Sequence, residues 1–389
     1  VRLRRCAMVL LEPRETVAFQ FEALLDGGDG RVRALGWVAL APHLEQPVAL
    51  SAQAQAWLGT LSPSAWTELA ADAAEMPMAQ ELLAAGLLIA EDGHGVAAAR
   101  DARLRGVHWH PLAAVMHAFS RWDGVDAVYN MQASETETAE QMRQTLGEPP
   151  REAPQLAGAG PRLALPEVDG NAFDQLLARR VTCRNFDPDR PVPLAVFAQL
   201  LQRTFGSRCR FQVGQDLVFL KKSVPSGGGL HPIEAYLVVQ NVAGLAPGLY
   251  HYRGDSHELE PVATEVTVDR AFVMEMVGQQ HWFADAHVLV VLAPRFERTF
   301  WKYRQHAKSY RVVAMEAGHL SQTLYLAATD AGLGAFITGA INEKHIERAL
   351  QLDTIAEGVL AVCGFGWRAA QMTTTELDPA GVIWHPAAE

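Results

Sequence analysis

The stretch Lys222-Ser-Val-Pro-Ser-Gly-Gly-Gly-Leu-His-Pro-Ile-Glu-Ala-Tyr236, followed by Pro247-Gly-Leu-Tyr-His-Tyr252, decides how this chain is read. Three consecutive glycines at 227–229 let a backbone approach a flat or anionic ligand that any Cβ would push away. Ser226 adds a hydroxyl at the same place. The chain then enters Glu234-Ala-Tyr-Leu-Val-Val-Gln240, which has the composition and length of a strand. The spacing predicts a ligand-cradling loop that feeds a buried strand. An ordinary glycine-rich turn reads the same in isolation, so the surrounding residues decide.

Length and composition set the frame for those residues. At 389 residues the chain exceeds one average domain, and two are expected. The apolar fraction is 49% and mean hydropathy is near zero, as in an ordinary globular protein. No apolar run is long enough to cross a bilayer. Cys6-Ala-Met-Val-Leu-Leu11 follows three arginines but is too short for a secretory signal and reads as a first strand. The four cysteines, at 6, 183, 209 and 363, lack metal-ligand spacing and suit reduced thiols in a cytoplasmic protein. A net charge of −11 argues against non-specific nucleic-acid binding, which needs a basic excess.

Four motifs in order give the glycine-rich stretch its context. They are Arg179-Arg-Val-Thr-Cys-Arg-Asn-Phe186, the glycine-rich stretch itself, Phe300-Trp-Lys-Tyr-Arg304, and Glu316-Ala-Gly-His-Leu-Ser-Gln-Thr-Leu-Tyr-Leu-Ala-Ala328 with Gly332-Leu-Gly334 behind it. Together they resemble the SagB-type (thiazole/oxazole dehydrogenase) branch of the FMN-dependent nitroreductase superfamily. Within that branch the chain looks most similar to the peptide-maturation dehydrogenases of bacterial peptide-modifying clusters. The resemblance covers residues 170–368. Thr182 stands where the family usually has Ser, and Ala340-Ile341 stands where Gly-Phe often follows the later ring-contact segment. The resemblance implies an α+β fold: a nitroreductase-like, FMN-binding sheet flanked by helices, in a homodimer.

Three segments are expected: an accessory domain at 1–130, a linker at 131–168, and the FMN domain at 169–389. In the first, Ser62-Pro63 reads as a helix start. Met78 to Gly86 reads as a second helix, Leu87–Ala90 as a strand and Glu91–Gly95 as a turn. Helix, helix, strand, turn is the order of a winged helix, and the acidic balance favours peptide docking or packing over DNA binding. Pro111 opens a further helix whose Leu112, Val115, Met116 and Phe119 are spaced as a core face, with His108, His110 and His117 flanking it. Those histidines lack a third ligand at metal spacing, so no metal is expected. The acidic run Ser134–Glu140 and the breaker-rich 148–161 read as linker. In the FMN domain Pro193 opens a helix. Strands are expected at Ala235–Gln240, His287–Ala293, Ala335–Thr338 and Val359–Phe365, and the largely apolar Glu316–Ala331 as a buried helix.

FMN requires cations for its phosphate dianion, small or hydroxyl-bearing residues along its ribityl chain, and donors near its ring. Arg180 and Arg184 share a face whether the segment is helical or extended, and an Arg fork suits phosphate oxygens. Thr182 can add a hydroxyl. A solvated basic stretch is the plain alternative. By resemblance, Arg368 is a further phosphate cation, Pro225, Ser226, Gly227 and Gly228 pack on the ribityl and ring, and Thr338-Gly339 meets the ring near N5. Lys302 and Tyr303 are the catalytic candidates. Turning an azoline into an azole removes a hydride and a carbon-bound proton, and a Lys crowded by Arg298, Arg304, Lys308 and Arg311 can act as the base, with Tyr303 as relay. The alternative there is a basic surface helix. His231, His251 and His319 read as hydrogen-bonded structural histidines, and Cys183 as filler between the two arginines.

Three functions compete on these residues. The first is an FMN-dependent dehydrogenase acting on a precursor peptide, with a cyclodehydratase or other peptide-modifying enzyme as partner. The second is an NAD(P)H-dependent reductase of nitro, quinone or dehydroamino-acid groups. The third is a non-catalytic peptide-binding scaffold, against which Lys302-Tyr303 counts.

Overall fold

The computed structural model describes residues 1–154, 158, 160–379 and 381–384. The chain forms two compact units. The first joins Val1–Arg121 with Arg295–Val313 and Asp353–Gly358; the second joins Trp122–Pro294 with Ala314–Leu352 and residues from Val359 onward. These differ from the divisions at 130 and 168 read from sequence. Asn342 takes the Val125 N–H on its Oδ1 and donates its Nδ2 to the Val125 carbonyl, which ties 122–130 into the second unit. Trp109 packs tilted against Phe296 and edge-on against Phe300 and donates its indole N–H to the Ile355 carbonyl, which draws 295–313 and 353–358 into the first.

The first unit is β-rich. Strands β1 (Arg2–Arg5), β2 (Leu10–Phe19), β3 (Arg31–Leu40), β4 (Val48–Leu50), β5 (Thr67–Glu68) and β6 (Leu88–Ala90) form two three-stranded sheets, ordered β5-β1-β6 and β2-β3-β4. Leu3, Leu58, Leu82 and Leu88 lie in its core. Cys6-Ala-Met-Val lies between two strands instead of forming one. The helix expected at Ser62 does not form: Ser62 Oγ accepts the Ser64 and Ala65 N–H groups, but the chain then turns to pair β5 with β1. The preceding helix is Ala52–Thr60, capped by Ser51. Met76–Ala84 and β6 are as expected. The turn after β6 leads into the helix Val96–Val107, where a winged helix would return a strand. In the helix Pro111–Ser120, Val115 is buried as expected and Phe119 half-buried, but Leu112 and Met116 are exposed, while Ala113, Ala114, His117 and Ala118 are buried. The buried face is therefore rotated from the one the aliphatic spacing suggested, because His117 occupies an aromatic box.

The second unit holds a hairpin, β7 (Ser207–Gln212) with β8 (Val218–Lys222), and a six-stranded antiparallel sheet. That sheet comprises β9 (Ile233–Val239), β10 (Gly248–Arg253), β11 (Glu258–Pro261), β12 (Val288–Pro294), β13 (Gly334–Thr338) and β14 (Ala361–Gly366), ordered β11-β10-β9-β12-β14-β13. All of β12 is buried, which is why Val-Leu-Val-Val-Leu-Ala reads as an unbroken apolar run and not an alternating one. Val238, Leu289, Val291 and Phe336 pack with Val273, Met276 and Phe283 in one core cluster. The four strands expected from the sequence are β9, β12, β13 and β14. The expected linker is not all loop: Ala139–Leu146 is a helix closed by a Thr138–Gln141 capping box. Linker residues 155–157 and 159 lie outside the described residues. The helix Ser309–Asp330 runs through the site region, and among the described residues no helix is long and apolar enough to cross a membrane.

Candidate functional site: an arginine segment, a glycine loop and a shared helix

The segment after the helix Ala172–Arg179 runs extended alongside β13. Thr182 bridges Ala335, and the Cys183 N–H donates to the Ala335 carbonyl at 2.8 Å. Alternation does the rest. Val181, Cys183 and Asn185 are buried, while Arg180, Thr182 and Arg184 are half-buried on the other side. Thr182 Oγ1 lies 3.0 Å from the Tyr325 hydroxyl, and the Arg180 guanidinium sits 5.3 Å over the Tyr325 ring. Burial pushes the Tyr325 phenol up, against the opposing bond from Thr182. Among the described residues the Arg184 guanidinium makes no hydrogen bond or ion pair.

Arg368 is placed differently. It donates to buried Glu376 and, at 2.7 Å, to the Val181 carbonyl. Its charge is thus met by protein, leaving Arg180 and Arg184 as the cations available to an anion.

The glycine loop is a single 3-10 turn at Gly227–Gly229, with Gly228 and Gly229 at φ 66° and 70°, in the left-handed region. Ser226 Oγ accepts the His231 N–H at 2.9 Å, and His319 donates to the Pro225 carbonyl at 3.3 Å. His231 is itself at φ 46°, and its Nδ1 lies 3.7 Å from Glu316; both side chains are buried. The loop therefore meets the helix Ser309–Asp330 at Glu316 and His319, and the arginine segment meets the same helix at Tyr325. Six residues separate His319 from Tyr325, about 9 Å along a helix axis.

Thr338 is buried and turned inward. Its Oγ1 exchanges bonds of 3.1 and 3.2 Å with the Gln280 amide, which also donates to the Val277 and Ala340 carbonyls at 2.7 Å. Gly339 has open space where a Cβ would stand. The ring-contact candidate is thus the Gly339 backbone, with Gln280 bracing it; sequence reading did not find Gln280, which is 58 residues away.

His251 and His319 have hydrogen-bond partners, whereas the buried His231 Nδ1 has none and lies 3.7 Å from Glu316. His251 lies 3.3 Å from Glu234 and 3.2 Å from Glu260, and bonds to these carboxylates raise its pKa, Glu234 contributing most, against partial burial. Burial pushes the Cys183 thiol up to about 12, outweighing the Arg368 charge, so Cys183 is no reactive thiolate; Cys6 is likewise pushed up to about 12, mainly by burial, and burial raises Cys363 further. Cys209 alone among the four is exposed. No group of three His, Cys, Asp or Glu that could hold a metal occurs among the described residues.

Lys302 and Tyr303 belong to the first unit. Lys302 is exposed at the end of the helix Phe296–Lys302, its Nζ 5.4 Å from the ring of half-buried Tyr303. Phe296 and Phe300 anchor that helix against Trp109, which stacks on His117 at 5.5 Å. His117 is fully buried, and burial, with the Arg121 charge, holds it well below the usual imidazole range, at about 3.

FMN fits the second-unit residues on two observations: guanidinia left without an acidic partner on a pinned backbone, and a glycine turn with Gly339 open beside buried Thr338.

The sequence model of the nitroreductase family matches residues 177–367. The chain is 34% identical to the trifolitoxin-processing protein TfxB of Rhizobium leguminosarum bv. trifolii over 149 residues, 36% of this chain and 38% of that protein. It is 28% identical to the microcin B17-processing protein McbC of Escherichia coli over 186 residues, 47% of this chain and 65% of that protein. The match thus spans less than two thirds of either relative. The E. coli microcin synthetase McbBCD complex with truncated pro-MccB17 bound aligns over 71% of this chain and 98% of that one, at 19% identity and a TM-score of 0.48. Residues 177–367 of this chain are a nitroreductase-family domain, similar in sequence to the trifolitoxin-processing and microcin B17-processing proteins.

Proposed function

We propose that this protein is an FMN-dependent dehydrogenase that oxidises azoline to azole in a ribosomally made peptide. The observation that carries the reading is the Arg180–Arg184 segment, whose backbone is fixed on its buried side while two guanidinia remain uncommitted to carboxylates. Bound FMN would supply a hydride acceptor. Arg180 and Arg184 would hold its phosphate by charge-assisted bonds, with Thr182 as a hydroxyl donor. Pro225, Ser226, Gly227 and Gly228 would line the ribityl and ring, and the Gly339 backbone would face the ring. Lys302 would take the substrate's carbon-bound proton and Tyr303 would orient it.

The names of TfxB and McbC support a peptide substrate. A cyclodehydratase is the partner this chemistry needs, since something must first close the azoline ring. We place the protein in the cytoplasm as a homodimer. The N-terminal unit would dock the peptide.

The test is the product mass. Purified protein should be yellow, release FMN on denaturation, and convert a thiazoline-bearing peptide to a product two hydrogens lighter under saturating oxygen. Colourless protein that takes up no added FMN refutes the cofactor. Consumption of NADPH with a nitro or dehydroamino-acid substrate, and no azole, replaces this reading with the reductase.

A further inference from the structure

A buried carboxylate stands behind the arginine segment. Glu376 lies beyond the family-matched residues and its side chain is completely buried. Its Oε1 accepts the Arg184 N–H, the Asn185 N–H at 3.0 Å and the Asn185 Nδ2 at 2.9 Å. Its Oε2 accepts from Arg368 and, at 2.8 Å, from the Trp384 indole N–H. Arg368 in turn holds the Val181 carbonyl, so the Glu376–Arg368 pair grips the segment at both ends. Asn185 Oδ1 completes the attachment by accepting the Thr373 and Thr374 N–H groups, each at 2.8 Å. Burial alone would raise the Glu376 pKa, but the bonds from Arg184, Trp384 and Asn185 and the Arg368 charge lower it, so the acceptor stays ionised.

A charge buried this deeply is tolerated only when its lone pairs are filled, and here they are filled by the backbone that carries the candidate phosphate ligands. We propose that Glu376 is a positioning residue for phosphate recognition: it sets the backbone from which Arg180, Thr182 and Arg184 project, and it commits Arg368 to that backbone instead of to the ligand. The inference rests on the FMN reading above.

Phosphate recognition can be isolated by comparing FMN with riboflavin, which has the same ring and ribityl chain without the phosphate. The wild type should bind FMN more tightly than riboflavin. Glu376→Gln puts an amide donor against donors, and the ratio of the two dissociation constants should fall ten-fold or more, mainly through FMN, with riboflavin affinity changed less than three-fold. A general loss of folding would weaken both ligands alike. Glu376→Asp keeps the charge, and its ratio should fall between wild type and Gln; it decides the matter if the Gln variant does not fold. An unchanged ratio in the folded variants overturns the positioning role and leaves the FMN reading intact. A wild-type ratio near one overturns Arg180 and Arg184 as phosphate ligands, and this inference with them.

Discussion

The two segments that carry the candidate chemistry are held by opposite means. Residues 180–186 are pinned by polar bonds to nearly every buried backbone position, through Ala335, Glu376, Arg368 and Asn185. Residues 296–303 are anchored by rings: Trp109, His117, Phe296, Phe300 and Tyr310. A polar clamp fixes the direction of each peptide, which suits ligands that must meet a phosphate from set angles. Aromatic packing fixes where a helix lies and leaves the side chains at its end to rotate. One segment therefore has its peptide directions set by the protein, while the other ends in an exposed lysine, Lys302.

The largest test of that contrast is catalytic. Lys302→Ala or Tyr303→Phe should leave FMN occupancy near normal while azole formation falls ~10²–10⁴-fold, the usual contribution of a general base. Unchanged turnover in both would take the second segment out of the chemistry. The first segment should respond the other way. Arg184→Ala should cost ~1.5–3 kcal/mol of FMN binding, about ten-fold or more in affinity, read by flavin fluorescence titration.

Packing around the ring cluster gives a third test. A Cβ at Gly358 would stand 2.8 Å from His117 Cε1 and 3.2 Å from Phe296 Cε2, so Gly358→Ala should destabilise the protein by about 1–3 kcal/mol in urea unfolding. No loss would mean the box has slack.

Acid should undo the two segments in different windows. His117 has a folded pKa of about 3, below the unfolded value of about 6.5, so the unfolded chain binds the extra proton first. Stability from this residue is full above pH 6.5 and falls by up to about 1.4 kcal/mol per pH unit between there and pH 3. His117→Phe should flatten that slope. Glu376 also has a lowered pKa, so its contribution persists below pH 6 and is lost only as pH falls from the ordinary glutamate range through its folded pKa. The smallest effect has the reverse sign. His251 has a raised pKa, so its contribution is complete below about pH 6.5 and lost as pH rises through the folded value; His251→Gln should remove that shallow alkaline decline in melting temperature.

How much of this was legible in the sequence depended on distance along the chain. The glycine turn, β9 and β12 are local patterns, and they formed as their sequences indicated. Glu376 acts 192 residues from Arg184, in a tail with no periodicity and no glycine signature, and nothing around it marks it as buried. Gln280 is hidden in the same way. The face of the helix Pro111–Ser120 was read only in part, Val115 being buried but Leu112 and Met116 exposed, because aliphatic spacing counts His117 as polar, whereas a neutral imidazole among rings packs as an aromatic. The long β2–β3 hairpin was missed for another reason: both of its strands mix charged and apolar residues, Glu15 facing Leu35 and Val17 facing Arg33, so no clean alternation emerges. The Thr338 hydroxyl is bonded to Gln280, which leaves the Gly339 backbone as the part of the Thr338-Gly339 segment open to a ligand.

The burial of three of the four cysteines makes the protein a natural single-label reporter. At neutral pH the sulfurs of Cys6, Cys183 and Cys363 are protonated and shielded, while Cys209 stands exposed on β7. A maleimide dye added to native protein should couple once per chain, and four times after unfolding. One dye at one known address would allow two copies of the chain to be counted, or their separation measured, without introducing a single substitution.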